Sequence, residues 1–548
     1  MSINIIQGAA LVCLGWSCVV FLLQLVGITK LYRNHTSPLP PPASPSLPEN
    51  EVPHVTVIRP VKGVEVGLYK CLASTFRLAY PKSKLSIRLC VDSESDPAYP
   101  VLCQLVADFP SFDAQVLVEE EDPILHGRAG HVNNLGPNPK IRNISRAYRE
   151  AKGDIIWIVD CNVWVAKNAA GRMVDKLFGF QPTNGGGCDR TTPYKFVHQL
   201  PLVVDLDNNT PSGASPVGKS SSTEGQSLLP STVTPNSTTP ENQSQGLLAH
   251  GGRLEEMFMS TTHAKFYGAI NAVGLAPCIV GKSNMFRKSH LDAFTTVSSN
   301  PLLRSSDSTR GTGIDFFSSY ICEDHLIGDL IWRSSSPGYK NHGLVFGEVA
   351  VQPMAGMSVA AYIARRVRWL RVRKWTVLAA TLVEPGVESL VCCAYFAFAV
   401  TTLPWFNGVF GVPQTWSAMA CLWLGSVTIW MSIDRWLTSK LFRLQSLDVD
   451  EDTPFFARGT ARQGGTAQRP FREWLAAWLG RELLALPIWT RAVLLGTTVR
   501  WRGRQFKVRM DMSVVEVEDR KSRAADVAGG SKPRPRVAGS PDSKDRVD

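Results

Sequence analysis

The sequence predicts an α/β chain: a mostly parallel sheet wound by helices, anchored in a membrane by one N-terminal and at least two C-terminal helices. Three observations predict it. From His54 onward, short apolar runs rich in Val and Ile alternate with helical stretches, the pattern of a parallel sheet with right-handed crossovers. Residues 5–29 carry no charge over about the length that spans a bilayer. Residues 389–433 are likewise uncharged, with Pro404, Asn407, Gly408, Gly411 and Pro413 near the middle, where a hairpin between two spans would turn.

The elements follow in order along 548 residues, too many for one compact core. Residues 1–30 lack the positive start and small-residue cleavage site of a signal peptide, so they read as a transmembrane anchor. Residues 31–53, with SPLPPPASPSLPENEVP at 37–53, read as a stiff proline-rich linker. Residues 54–380 form the soluble domain. In it, HVTVIRPVKG is a strand running into a loop and 66–78 a helix. LSIRLCVDSESDP is a strand ending in acids, and IRNISRAYREAKGDIIWIVDCNVWV a helix followed by a buried strand. Residues 207–246 almost lack bulky apolar groups and are expected to be a disordered insertion, with 300–313 a smaller surface loop. Residues 381–510 form a membrane region with spans at about 387–404 and 414–433. Its segment at about 474–498 carries Arg481, Glu482 and Arg491, so it is expected to lie in the interface or re-enter. Residues 511–548 read as a disordered charged tail.

Lys30 and Arg33 follow the first span and nothing basic precedes it, which orients the soluble domain to the cytosol. Sequons at Asn34, Asn143, Asn208, Asn236 and Asn242 are then expected to stay bare. The net charge of +11 lies largely in membrane flanks and the tail, where it attracts anionic headgroups. Nucleic acid is excluded as a partner, since zinc-finger spacing, an RNP signature and a basic-aromatic groove are all missing. Twelve cysteines without a CxxC or metal spacing agree with a reducing compartment.

Ligands of doubly wound sheets bind at the carboxyl ends of strands, where Asp92 and Asp160 fall. Asp160 closes GDIIWIVD either as a turn residue or as a hard oxygen ligand for Mg2+ or Mn2+ on a diphosphate. Asn162 stands at the DxD partner position, so the acid stands alone there. Glu323 and Asp324 open a segment whose Leu326, Ile327, Leu330 and Ile331 have helical spacing. An acid there caps a helix, or serves as a general base held in place. The run Arg365-Arg366-Val367-Arg368-Trp369 is a juxtamembrane basic face. Within it Arg368 and Trp369 offer a fork for diphosphate oxygens and a flat surface for a ring. His198, in KFVHQLP, reads as a satisfied strand histidine or as a catalyst.

Together VTVIRPVKG (55–63), YPKSKLSIRLCVDSESDPA (80–98), NPKIRN (138–143), GDIIWIVDCNVWV (153–165), VHQLP (197–201), CEDHLIGD (322–329), RRVRW (365–369) and WRGRQFKVR (501–509) resemble the ceramide glucosyltransferases. Those are membrane-bound relatives of inverting, family 2-type glycosyltransferases with the Rossmann-like GT-A fold. The resemblance implies transfer of glucose from UDP-glucose to ceramide with inversion, on the cytosolic face of the Golgi or ER membrane. It implies that Asp160 binds a divalent cation (Mg2+ or Mn2+) and the diphosphate, and that Asp324 is the catalytic base. Arg365, Arg368 and Trp369 match the RxxRW motif, Lys140 falls on the donor side, and His198 falls on a histidine that matters in the family. The first family aspartate is displaced: a gapless match of CVDSESDP puts Ser93 there, with Asp92 one residue early and Asp96 as the alternative. The implied partners are UDP-glucose, ceramide and membrane lipids. The rival readings are a processive synthase of chitin or hyaluronan type and a catalytically inactive membrane scaffold.

Overall fold

The computed structural model describes residues 4–126, 135–182, 188–207, 250–501 and 504–517. Residues 208–246 of the expected insertion, with Asn208, Asn236 and Asn242, lie outside them, as does the tail beyond 517.

Strands β1 (Val55–Pro60), β2 (Leu85–Val91), β3 (Asp113–Val118) and β4 (Ile155–Val159) form a parallel half-sheet. A short hairpin, β5 (Phe180–Pro182) and β6 (Cys188–Arg190), precedes the long strand β7 (Tyr194–Asp205). Strand β8 (Ser283–Arg287) runs antiparallel between β4 and β7, and β9 (Lys340–Met354) is parallel to β7 at the edge. The order is β3-β2-β1-β4-β8-β7-β9. Every residue of β1, β2 and β4 is buried, as expected where helices cover both faces of a parallel sheet. One face packs Val57, Ile87 and Trp157 on Phe76, Leu102 and Met173; the other packs Ile58, Cys90 and Ile156 on Ile141, Ile144 and Tyr148. Arg59 is the charged exception in β1, and its guanidinium donates to the carbonyls of Cys71, Cys161 and Val163.

A small second sheet, β10 (Thr498–Trp501), β11 (Arg504–Val508) and β12 (Val514–Glu516), docks on the main domain through Val514 N donating to Ser319 O at 2.9 Å. The expected disorder is thereby corrected for residues 511–517 alone. Val514 is buried, and its apolar side chain together with the strand pairing holds residues 511–517 in place.

The N-terminal helix runs Ile5–His35, and its last turn passes beyond the expected anchor boundary at residue 30. The proline-rich segment after it is docked on the domain rather than spacing it from the anchor. Asp175 accepts from Ala43 N (2.6 Å) and Ser44 N (2.8 Å), and Arg172 donates to Pro40 O (3.1 Å). Among the described residues, two helices are long and apolar enough to cross a membrane, Ile5–His35 and Trp416–Leu441. The expected first C-terminal span is the 14-residue helix Ser389–Thr402, about 21 Å long and too short to span alone. It qualifies only together with Leu378–Val387, across a 75° bend, as a broken span or re-entrant loop. The helix Phe471–Val493 covers most of the expected 474–498 segment. It buries Trp474, Trp478 and Arg481 on one face and exposes Leu479, Leu483 and Leu486 on the other.

These helices meet on the helix Thr262–Val273. Arg481 bridges Glu388 (2.7 Å) and Thr262 (2.8 Å), while Lys265 pairs with Asp434, which also accepts from Trp478 Nε1 at 2.9 Å. Gly27 lets the N-terminal helix approach closely, since a Cβ there would lie 2.1 Å from Lys265 O.

Candidate active site

At the carboxyl ends of β1 and β4 a cavity of about 520 Å³ opens. Asp160 ends β4, and its backbone N donates to Lys282 O at 3.1 Å, so the approach to β8 is stitched to it. The Asp160 carboxylate is held on both oxygens: Oδ1 lies 3.2 Å from Lys140 Nζ and Oδ2 accepts from Lys282 Nζ at 2.9 Å. Burial pushes this carboxyl up, but the two ammonium groups outweigh it and hold it well below the usual range. Burial likewise disfavours the Lys140 ammonium, and Asp160 with Glu323 more than restores it.

Lys140 is placed by the helix Pro139–Arg149, which Asn138 caps by accepting from Lys140 N and Ile141 N, with proline at its first position. The helix Glu323–Arg333 brings its two leading acids to the same cavity and divides their work. Glu323 is engaged by Lys140 (3.1 Å) and by Asn138 Nδ2 (3.2 Å). Asp324 belongs to no ion pair among the described residues. It packs against Gly281, where a Cβ would come within 2.8 Å of its Oδ2. Burial raises the Asp324 carboxyl above its ordinary value, with Lys140 opposing.

On the helix Val359–Arg373, capped by Ser358, the residues Arg365, Arg368, Trp369 and Arg373 line the cavity from one face. Arg365 pairs with Glu255 (2.9 Å) and lies over the Trp369 ring, 4.7 Å from its centroid. Arg366 points away and stacks on Phe258. Trp501, from the small sheet, completes the wall.

Two expected site residues lie elsewhere. Asp92 does not line the cavity. It pairs with Lys62, which does, and Asp96 accepts from Gly63 N at 2.9 Å and Ala98 N at 2.9 Å. Both acids therefore grip the loop after β1 from behind. His198 is fully buried in β7 and has no surface on the cavity, so contact between its ring and a reacting atom is corrected. Asn271 donates both amide hydrogens, to Tyr267 O and Cys278 O, so its Oδ1 must accept from His198 Nε2 (3.1 Å). Nδ1 then accepts from the Tyr267 hydroxyl (2.5 Å). Burial lowers His198 to about 3, leaving it neutral and bracing Asn271 under the 278–282 loop.

Sequence reasoning missed Lys282, Gly281 and Trp501. Only the glycine-lysine pair in VGKSNMF hinted at the first two, and Trp501 stood at the head of WRGRQFKVR without a role assigned to it.

A mostly parallel sheet with acids and ammonium groups at its strand ends, a basic-aromatic helix beside them and two described helices long and apolar enough to cross a membrane agree with the membrane-bound GT-A glycosyltransferase that the sequence resemblance implies. The chain belongs to Glycosyl transferase family 21, whose model matches residues 19–185 and 242–514. It is 55% identical over 505 residues to the ceramide glucosyltransferase of Pyricularia oryzae, covering 92% of this chain and 94% of that one. It is 50% identical over 529 residues to the ceramide glucosyltransferase of Gibberella zeae, covering 96% of each. Among solved structures it is similar to a mannosyltransferase from Pyrobaculum calidifontis in complex with GDP-Man and Mn2+. That likeness is at 14% identity and a TM-score of 0.35, over 80% of this chain and 99% of that one.

Proposed function

We propose that this enzyme transfers glucose from UDP-glucose to the primary hydroxyl of ceramide, releasing UDP and forming β-glucosylceramide with inversion. The observation that carries the reading is the meeting, in one cavity, of a carboxylate outside any described ion pair, Asp324, and a cationic group of Lys140, Lys282 and Arg368. The names of the family-21 relatives supply the acceptor and the sugar.

Asp324 takes the proton of the ceramide hydroxyl as the oxygen attacks the anomeric carbon from the face opposite UDP. The new carbon–oxygen bond forms while the bond to the diphosphate breaks, and the electron pair leaves with UDP. Burial that raises the Asp324 carboxyl makes it a stronger base. Lys140, Lys282 and Arg368 receive the charge developing on the diphosphate, and Trp369 offers a flat apolar wall beside it. Asp92 serves the donor side through Lys62.

Asp160 and the Asn162 amide supply two oxygens, and among the described residues no group of three or more His, Cys, Asp or Glu stands ready for a metal. A divalent cation would therefore take its remaining ligands from the diphosphate and water, with a lysine moving aside. When bound it neutralises charge on the leaving group.

The membrane helices hold the cavity at headgroup level, where ceramide lies. The enzyme resides in the Golgi or ER membrane with its catalytic domain in the cytosol, as the basic flank of the first helix directs. Asn143 fits this side, since its amide is buried and donates to Val61 O and Cys90 O.

The test is product formation from fluorescent ceramide and UDP-glucose by membranes of cells lacking their own enzyme but expressing this chain. A single β-glucosylceramide band, lost in Asp324→Asn, is expected. A donor-dependent polymer instead would move the reading to a processive synthase, and an active Asp324→Asn would remove that residue as the base.

A further inference from the structure

Asp160 poses an electrostatic problem. A carboxylate beside a departing diphosphate repels it unless a cation stands between them. The second acid of a DxD pair is replaced by Asn162, which reduces the negative charge available to draw a divalent ion. Two ammonium groups already sit on the Asp160 carboxylate, and they are not equivalent. Lys140 is shared with Glu323, so its charge is divided between two acids. Lys282 meets Asp160 at 2.9 Å and the Asn162 amide oxygen at 3.5 Å, two acceptors for an ammonium with three hydrogens, and its side chain lines the cavity.

Its position is over-determined. Lys282 O accepts from Asp160 N, Lys282 N donates to Val280 O at 2.8 Å, and Ser283 stands opposite Val159 in the antiparallel register. The main chain of Lys282 is therefore held at the end of β4, where ligands of such sheets bind, and among the described residues its ammonium has two acceptors for three N–H groups.

We infer that Lys282 is a donor-diphosphate residue that performs part of the work of a divalent cation, so that this enzyme binds the UDP moiety without one. The inference rests on the UDP-sugar chemistry proposed above and adds a residue to it. In the bound state Lys282 bridges Asp160 and a diphosphate oxygen, turning a repulsive pair into a carboxylate–ammonium–phosphate chain of charge-assisted hydrogen bonds. A divalent ion and Lys282 then act in parallel, and either one suffices for donor binding.

The test measures UDP binding to the purified full chain in nanodiscs, in EDTA and in Mg2+, for wild type, Lys282→Met and Lys282→Arg. Wild type is expected to bind in EDTA. Lys282→Met should lose about 10-fold or more in EDTA, recover most of it in Mg2+, and be rescued in EDTA by Lys282→Arg. Recovery in Mg2+ shows at once that the variant is folded. Three results overturn the inference: wild type failing to bind in EDTA, Lys282→Met matching wild type there, or both variants losing binding in both conditions. Glucosylceramide formation by the same wild-type preparation keeps the two readings apart. Binding in EDTA without any lipid product would sink the proposed function while leaving Lys282 its role.

Discussion

Two of the buried charge clusters among the described residues are built from the same parts. One is Lys140, Lys282, Asp160 and Glu323 at the carboxyl end of the sheet; the other is Arg481, Glu388 and Glu482, with Lys265 and Asp434 nearby, among the membrane-region helices. The first opens onto a cavity, and beside it stands Asp324, outside any ion pair among the described residues. The second borders only a crevice of about 20 Å³ beside Glu388 and Arg481, too small for a ligand, with Thr262 and Trp478 supplying further hydrogen bonds. Ion pairing alone thus does not mark a functional site. An adjoining cavity and a neighbouring carboxylate left outside the pairing do.

The contrast makes different predictions for the two clusters. In the cavity, Asp324→Asn should lower kcat by about 1000-fold or more while leaving UDP binding and thermal stability near wild type. Equal losses in binding would place the residue with the donor instead. Among the helices, Arg481→Met leaves Glu388 and Glu482 buried without their partner and should cost about 3–5 kcal/mol, read as a lower Tm in detergent. Its kcat per folded molecule should be unchanged, and a selective loss of kcat would erase the distinction between the clusters.

In the Lys282→Met background, Asp160→Ala should abolish the recovery of UDP affinity that Mg2+ gives, on the order of 10-fold or more, measured by titration with and without EDTA. A persisting recovery would mean the ion sits elsewhere. A pH profile gives a subtler test. A base with a raised pKa acts above that pKa and fails as pH falls through it, so kcat should drop on the acid side at a pH above the ordinary aspartate value of about 3.9. His198, lowered to about 3, is neutral across the working range, so His198→Asn should leave that inflection in place. The smallest effect is expected from deleting residues 208–241. The family match passes from 185 to 242, and activity should stay within about twofold.

The sequence by itself determined the alternation of strands and helices, the acid closing the buried run IIWIV, the acids opening the helix at Glu323 and the basic-aromatic face at 365–369. These are local signals: the period of two or about four residues, and a charge placed where an apolar run stops. These signals singled out Asp160, Asp324, Arg368 and Trp369, the family resemblance added Lys140 and Arg365, and the structure brings all six to one cavity. The proline-rich segment was legible as irregular chain, but not as chain bound to Asp175, which lies more than 120 residues away.

Only the tertiary structure decided which groups face one another. Lys282 is 122 residues from Asp160, and the antiparallel register of β8 on β4, not any spacing, sets them side by side. Asp92 and His198 both stand in sequence contexts that suggest function. One is drawn off the cavity by Lys62, and the other is enclosed between Tyr267 and Asn271. Sequence periodicity tells which face of an element is buried, but burial in a core and burial at a site look alike until the neighbouring strand is in place. The physical reason is that ion pairs and cavities form between elements, through contacts that cost chain entropy to bring together and leave no local pattern.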